Sequence, residues 1–330
     1  MIPLAPIDYY FARPSVLATQ FIFCFDGTVD EERLRYSLRK SLTYFPPLRS
    51  RLVRVGETDL SLKADDAALE STVDFATRVV DDLNLDGMDP LLQWVDPVTT
   101  AENELLFKIV LNKSTTRTYL SVSMSHALGD VYSLVCFLVA WAKTYQGGTF
   151  DPPSCDRSVL DDRLVTSYDQ LTSEIIFRDT GYVLSTPDAR KPSKLKKETL
   201  KFSASDLDYL KRKTEAEERG LSLNDVLAAH LLKRFHVYVM SSEDSTVIVR
   251  CPVDFRRLHP NLSSRYFGNA FRDAVVEFDK NVLQRMSVGE VALRIRRAVS
   301  EIDARNVLRS LSCFNQLRMK FGLDFFYATF

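Results

Sequence analysis

The sequence predicts an α/β chain of two domains. Three observations carry that prediction: strand-like and helix-like stretches alternate in both halves, a proline- and lysine-rich tract separates the halves, and 330 residues with 45% hydrophobic content suffice for two cores. The boundaries that follow are 1–175 for the first domain, 176–200 for a crossover and 201–330 for the second domain.

The elements follow in order. Thr19 to Phe25 is a strand, with Phe21, Phe23 and Phe25 at period two and Ile22 and Cys24 between them, a pattern that predicts burial on both faces. Thr28 and Glu31 have the spacing of a capping box, and Leu34, Leu38 and Leu42 form the apolar stripe of a helix that Pro46 and Pro47 end. Short strands are expected at Arg51–Val55, Leu60–Leu62 and Thr72–Val80. Leu105–Leu111 and Arg117–Met124, joined by the polar turn 112–115, form a hairpin, and the apolar run Val131–Ala142 is a helix. From Thr149 to Lys201 the periodicity fades under Pro152, Pro153, Pro187 and Pro192, and a basic stretch closes the tract. Beyond it, Ser205 caps a helix over Asp206–Glu218 and Ser222 caps another over Asn224–Tyr238. Strands at Thr246–Cys251 and Asn269–Phe278, a helix at Val288–Ile302 and a last strand at Leu323–Phe330 complete the second half.

Composition excludes several function classes. With 43 Lys+Arg against 44 Asp+Glu, no charge excess favours nucleic acid or an anionic membrane as partner. The run Val131–Ala142 is too short for the ~20 apolar residues of a membrane span, and no secretory leader is visible, so a cytoplasmic protein is expected. Five scattered cysteines without a CxxC pair read as reduced thiols. Four histidines without HExxH or zinc spacing predict no metal. No GxSxG, GxGxxG or P-loop is present.

His126 stands where a strand hands over to a helix, with Asp130 four residues on. An imidazole titrating near neutral pH suits a general base, although a histidine at a strand end is also a common core residue. Further along come Val253-Asp254-Phe255-Arg256, Pro260 and Tyr266-Phe267-Gly268-Asn269. The glycine beside aromatics in that last group also suits close packing at a strand start. Ser222 suits phosphate binding or simple capping, and the lysines of the basic stretch suit either a phosphate partner or a solvated loop.

Taken together, Ser125-His126-Ala127-Leu128-Gly129-Asp130, Phe137 to Trp141-Ala142, Val253-Asp254-Phe255-Arg256 and Tyr266-Phe267-Gly268-Asn269 resemble the motifs of the BAHD acyl-CoA-dependent acyltransferases. Leu4-Ala5-Pro6-Ile7-Asp8, Ser37–Leu52, Phe202–Leu207 and Leu221–His230 are similar to further stretches of that family, so the resemblance covers nearly the whole chain. It implies a two-domain fold like chloramphenicol acetyltransferase, with mixed sheets and a tunnel at the domain interface. Acyl-CoA would be the co-substrate, with no tightly bound cofactor, and a small hydroxyl- or amine-bearing metabolite would be the acceptor. His126 would be the base of a ternary-complex mechanism, with Asp130 and Arg256 a structural pair holding its loop. Lys194, Lys196, Lys197 and Ser222 would meet CoA, Tyr266, Asn269 and Thr329 would line the tunnel, and a monomer is implied. Two positions depart from the pattern. Val131 replaces a glycine, which predicts an altered loop if that position needs positive φ. The family's DFGWG is absent after a Leu323–Phe330 that resembles the strand before it, which predicts an incomplete second domain. The alternative reading is a non-catalytic BAHD-like protein that binds CoA or a partner.

Overall fold

Strand pairing in the first half follows the alternation of its apolar residues. The structure is a computed structural model that describes residues 1–14, 16–56, 59–64, 73–81, 96–161, 170–182, 200–215, 218–239 and 245–329. Its elements are β1 (Ile2–Pro3), α1 (Asp8–Phe11), β2 (Thr19–Asp26), α2 (Glu31–Leu42), β3 (Ser50–Val55), β4 (Asp59–Ala64), β5 (Asp74–Val79), β6 (Phe107–Lys113), β7 (Arg117–Met124) and α3 (Val131–Tyr145). There follow α4 (Ser173–Thr180), α5 (Ala204–Glu215), α6 (Leu223–Val239), β8 (Thr246–Asp254), β9 (Phe271–Asp279), α7 (Lys280–Arg285), α8 (Val288–Ser300) and α9 (Ala304–Thr329). Among the described residues the strands form three sheets, ordered β1-β4-β3, β2-β7-β6-β5 and β8-β9. All pairs are antiparallel except β5 with β6.

The hairpin β6–β7 is the centre of the first half, and nearly every residue of both strands is buried. Helices α2 and α3 lie together, with Leu34, Leu38 and Leu42 of α2 facing inward as their spacing predicts. Trp141 of α3 locks the pair: its indole Nε1 donates to the Leu34 carbonyl at 3.2 Å and to Ser37 Oγ at 3.0 Å. Two cores result. The larger joins residues of the first half to Phe255, Tyr266, Phe267 and Ala270 and to Val307, Leu311, Phe314 and Leu317 of α9. The smaller, including Leu221, Val226, Val247, Phe278 and Ile295, belongs to the second half alone. One segment after β8 and the first part of α9 thus pack into the same core as His126's own strand.

Several local expectations are corrected. β2 has Cys24 and Phe25 exposed, and among the described residues it pairs only with β7, which makes it an edge strand with one open flank there. Its phenylalanines line an apolar cavity of about 530 Å³ with Val135, Val139 and Trp141 of α3. The cap of α2 is Asp30, whose carboxylate accepts from the Arg33 N–H at 3.1 Å, and not Thr28. The cap of α5 is Ser203, whose Oγ accepts from the Asp206 N–H, and not Ser205. Leu323 to Thr329 continue the helix α9 beyond a break at Gly322 (φ +70°) where a strand was expected. Among the described residues no helix is long and apolar enough to cross a membrane. No group of three or more His, Cys, Asp or Glu among them is placed to hold a metal.

Candidate active site

Six residues, 125–130, connect β7 to α3, and a carboxylate ends them. Asp130 is the N-cap of α3: its Oδ1 accepts from the Ser133 N–H at 2.9 Å, satisfying an orphan donor of the first turn. The same carboxylate reaches the second half of the chain. Arg256 Nη2 donates to Asp130 Oδ1 at 2.9 Å, and the Ala270 N–H donates to Asp130 Oδ2 at 3.0 Å. Arg256 also donates to the carbonyls of Tyr266 and Gly268, at 3.0 and 2.9 Å. Burial works against the Arg256 charge, and Asp130 together with Asp254 more than restores it. The close approach requires glycine at position 268, where a Cβ would run into the Tyr266 ring; at Gly129 it would lie 3.0 Å from Ser133 Cβ.

The imidazole is held from the other side. Asn269 Nδ2 faces two acceptors, Asp8 Oδ1 at 2.7 Å and the His126 carbonyl at 2.9 Å, so its amide orientation is determined. Asn269 Oδ1 therefore faces His126 Nδ1 at 3.0 Å, and Nδ1 must be the N–H donor. Nε2 is left as the nitrogen with the lone pair. Asp8 is itself ion-paired with Arg157, both side chains wholly buried, and the guanidinium of Arg157 spans the carbonyls of Ala127 (3.3 Å) and Leu128 (2.6 Å). Phe11 stacks on the imidazole with centroids 4.0 Å apart.

Burial holds the His126 pKa below the ordinary histidine value, against the opposing pull of its own carbonyl, Asp130, Asn269 and Asp8. The ring is thus neutral at neutral pH. Between Ser121 and Asp130 every residue is buried except His126, which keeps partial exposure. A neutral imidazole with a fixed tautomer and an accessible Nε2 is what proton abstraction requires.

The family model described as "Transferase family", the BAHD acyltransferases, matches residues 2–321. The chain belongs to this family. A BAHD relative, the spermidine coumaroyl-CoA acyltransferase of Arabidopsis thaliana, is 23% identical over 184 residues, or 54% of this chain and 40% of the relative's length. Among solved structures, TRI101 of F. graminearum in complex with coenzyme A and deoxynivalenol superposes with a TM-score of 0.74 at 13% identity, over 99% of this chain and 80% of that one. Vinorine synthase gives 0.63 at 18% identity, over 93% and 73%. The BAHD fold expected from the sequence is the fold of this chain.

Within this BAHD frame the structure brings His126, Asp130 and Arg256 together, the grouping that the resemblance implied, and adds Asn269 to them. It gives two of the expected tunnel residues different positions. Asn269 is fully buried behind the imidazole, and Tyr266 is 1% exposed, packed against Gly268. Thr329 is in the helix α9. Ser222 caps α6 within a reciprocal pair, its Oγ donating to Asp225 Oδ2 at 2.7 Å while it accepts from the Asp225 N–H. Lys194, Lys196 and Lys197 lie outside the described residues. Val131 is the first residue of α3, 50% exposed and without positive φ, so the valine requires no altered loop. Sequence reasoning missed Asp8, Phe11 and Arg157 as partners of the site. Asp8 ended a stretch already noted as family-like, while Arg157 carried no local signal.

Proposed function

We propose that this chain transfers an acyl group from acyl-CoA to the hydroxyl or amine of a small acceptor, with His126 as general base. The acceptor oxygen or nitrogen forms a bond to the thioester carbonyl carbon as Nε2 takes its proton. Collapse of the tetrahedral species then breaks the C–S bond, and the proton on Nε2 passes to the leaving thiolate, giving CoA thiol and restoring the neutral ring. Asp130 and Arg256 take no part in this proton transfer. They hold the loop, and Asp130 cannot reach the acceptor while both its oxygens are engaged by Ser133, Arg256 and Ala270.

The observation that carries this reading is the Asp8–Asn269–His126 chain, which directs the lone pair to the one partly exposed position of the junction. The coumaroyl-CoA donor in the plant relative's name, and the coenzyme A in the TRI101 complexes, support acyl-CoA as co-substrate. The test is His126→Ala, assayed for thiol release with an acyl-CoA and a panel of alcohols and amines, alongside calorimetry with CoA. Turnover should fall by about 10²–10⁴-fold while CoA still binds. Unchanged turnover overturns the role of His126. A wild-type protein that binds CoA and releases no thiol with any acceptor is the non-catalytic alternative.

A further inference from the structure

Among the described residues, no carboxylate answers the buried cation of Arg13. The residue is 7% exposed, and its Nε and Nη1 are buried without a hydrogen-bond partner. The other buried arginines each have a carboxylate nearby: Arg157 pairs with Asp8, Arg256 pairs with Asp130, and Arg272, whose Nε and Nη1 also lack a hydrogen-bond partner, interacts with Asp273 and donates to the Arg178 carbonyl at 2.9 Å. The guanidinium of Arg13 lies over the Tyr10 ring, 4.7 Å from its centroid. Burial pulls its pKa down, and the hydroxyls of Tyr10 and Tyr182 oppose that pull. Asp273, the carboxylate in this part of the fold, hydrogen-bonds Tyr182 and answers Arg250 and Arg272. A guanidinium removed from water is costly unless a complementary group meets it.

The surroundings connect this cation to the site. Tyr10 packs on Tyr182 with centroids 4.1 Å apart and on Phe11 at 4.9 Å, and Phe11 is the ring that stacks on His126. Ring contacts therefore connect the imidazole to the cation without interruption. Such apolar surroundings exclude water, and a planar guanidinium with unspent N–H groups selects a carboxylate over a neutral group of similar shape.

We propose that Arg13 receives a carboxylate carried by a substrate of the acyl transfer, so that the chain prefers either a dicarboxylic acyl-CoA or a carboxylate-bearing acceptor. This rests on the acyltransferase reading above. The test measures binding and not turnover, so its failure and that of the base role are separable. Calorimetry compares succinyl-CoA with butyryl-CoA, and 3-hydroxybenzoate with its methyl ester in the presence of saturating CoA, on wild type, Arg13→Met and His126→Ala. The carboxylate member of one pair should bind wild type and His126→Ala roughly tenfold or more tightly, as a charge-assisted hydrogen bond provides, and that preference should vanish in Arg13→Met. The pair that shows it identifies the source, acyl donor or acceptor. A wild type without preference in either pair, or an Arg13→Met that keeps it, overturns the proposal. Where Arg13→Met fails to fold, Arg13→Gln, which keeps donors and loses the charge, carries the same comparison.

Discussion

Two regions flank the same imidazole, and they treat buried charge in opposite ways. On the β7–α3 side, Asp130 and Arg256 satisfy each other and spend their remaining capacity on Ser133, Ala270, Tyr266 and Gly268. On the α1 side, the cluster of Tyr10, Tyr182 and Arg13 leaves guanidinium nitrogens unanswered. The first arrangement is a clasp between distant parts of the chain, since His126 and Asn269 are 143 positions apart and Asp130 and Arg256 are 126. The second also joins distant parts of the chain, through Tyr10 on Tyr182 and Tyr182 on Asp273, but among the described residues it brings no carboxylate to Arg13. A charge whose partners all lie within the protein serves position, whereas a charge that lacks one marks where a ligand completes the set.

The largest expected effect separates the two. Arg256→Met leaves Asp130 buried without its counter-charge and should cost about 3–5 kcal/mol, because breaking a buried pair strands the remaining ion. Arg13→Met strands no carboxylate and should change stability by about 1 kcal/mol or less, or raise it. Urea unfolding of both variants beside wild type is the measurement. Equal losses in the two would mean that Arg13 also serves as a clasp, and the comparison would break.

A smaller effect sharpens the description of the paired side. Asn269→Ala removes the acceptor that fixes Nδ1 as donor, so the ring loses its single tautomer. Turnover should fall by about 10- to 100-fold, in line with the loss of an orienting partner. The sign of the pH effect distinguishes this from a structural defect. The His126 pKa is already lowered by burial, so the neutral base persists below the usual histidine value, and activity falls only when pH drops through that lowered pKa. The Asn269 hydrogen bond pulls the pKa upward, and its loss moves the acid limb to lower pH still. A limb that stays in place would show that Asn269 acts on packing alone. The same linkage makes a neutral buried His126 favour folding above the pKa of the unfolded chain, with that contribution lost as pH falls toward the lowered value.

How much was legible in the sequence depends on how local each signal is. The hairpin, the junction at His126 and the helix after it were readable because period-two apolar residues stop at Met124 and a helical apolar run starts at Val131. Asp130 with Arg256 came from motif resemblance, since no periodicity links positions 126 apart. Asp8 and Arg157 escaped for the same reason: their ion pair spans 149 positions, and only the folded chain joins α1 to the His126 loop. Caps were misplaced by two residues at Thr28 and Ser205, because Asp30 and Ser203 are equally competent acceptors nearby. The aromatic run after Gly322 fits a strand or a helix by pattern alone, and the structure has helix. The open flank of β2 was hidden because its apolar residues face a cavity where a covering layer was expected.

The smallest expected effect asks whether the pairing rule extends beyond the site. Asp225 is another buried carboxylate, and it is served by the Ser222 N–H at 2.7 Å, by Ser222 Oγ at 2.7 Å and by Arg296, whose Nη2 lies 2.6 Å away. Ser222→Ala removes one of these donors and the hydroxyl that caps α6, yet leaves Asp225 its counter-charge. The cost should therefore be about 1 kcal/mol, the usual value of a lost cap, well below the loss in Arg256→Met. CoA titration of the same variant tests the phosphate role expected from the sequence. Unchanged CoA affinity assigns Ser222 to the helix alone. A weakened affinity at unaltered stability would mean that its hydroxyl leaves Asp225 for a phosphate oxygen, and that a fully paired group can also serve a ligand.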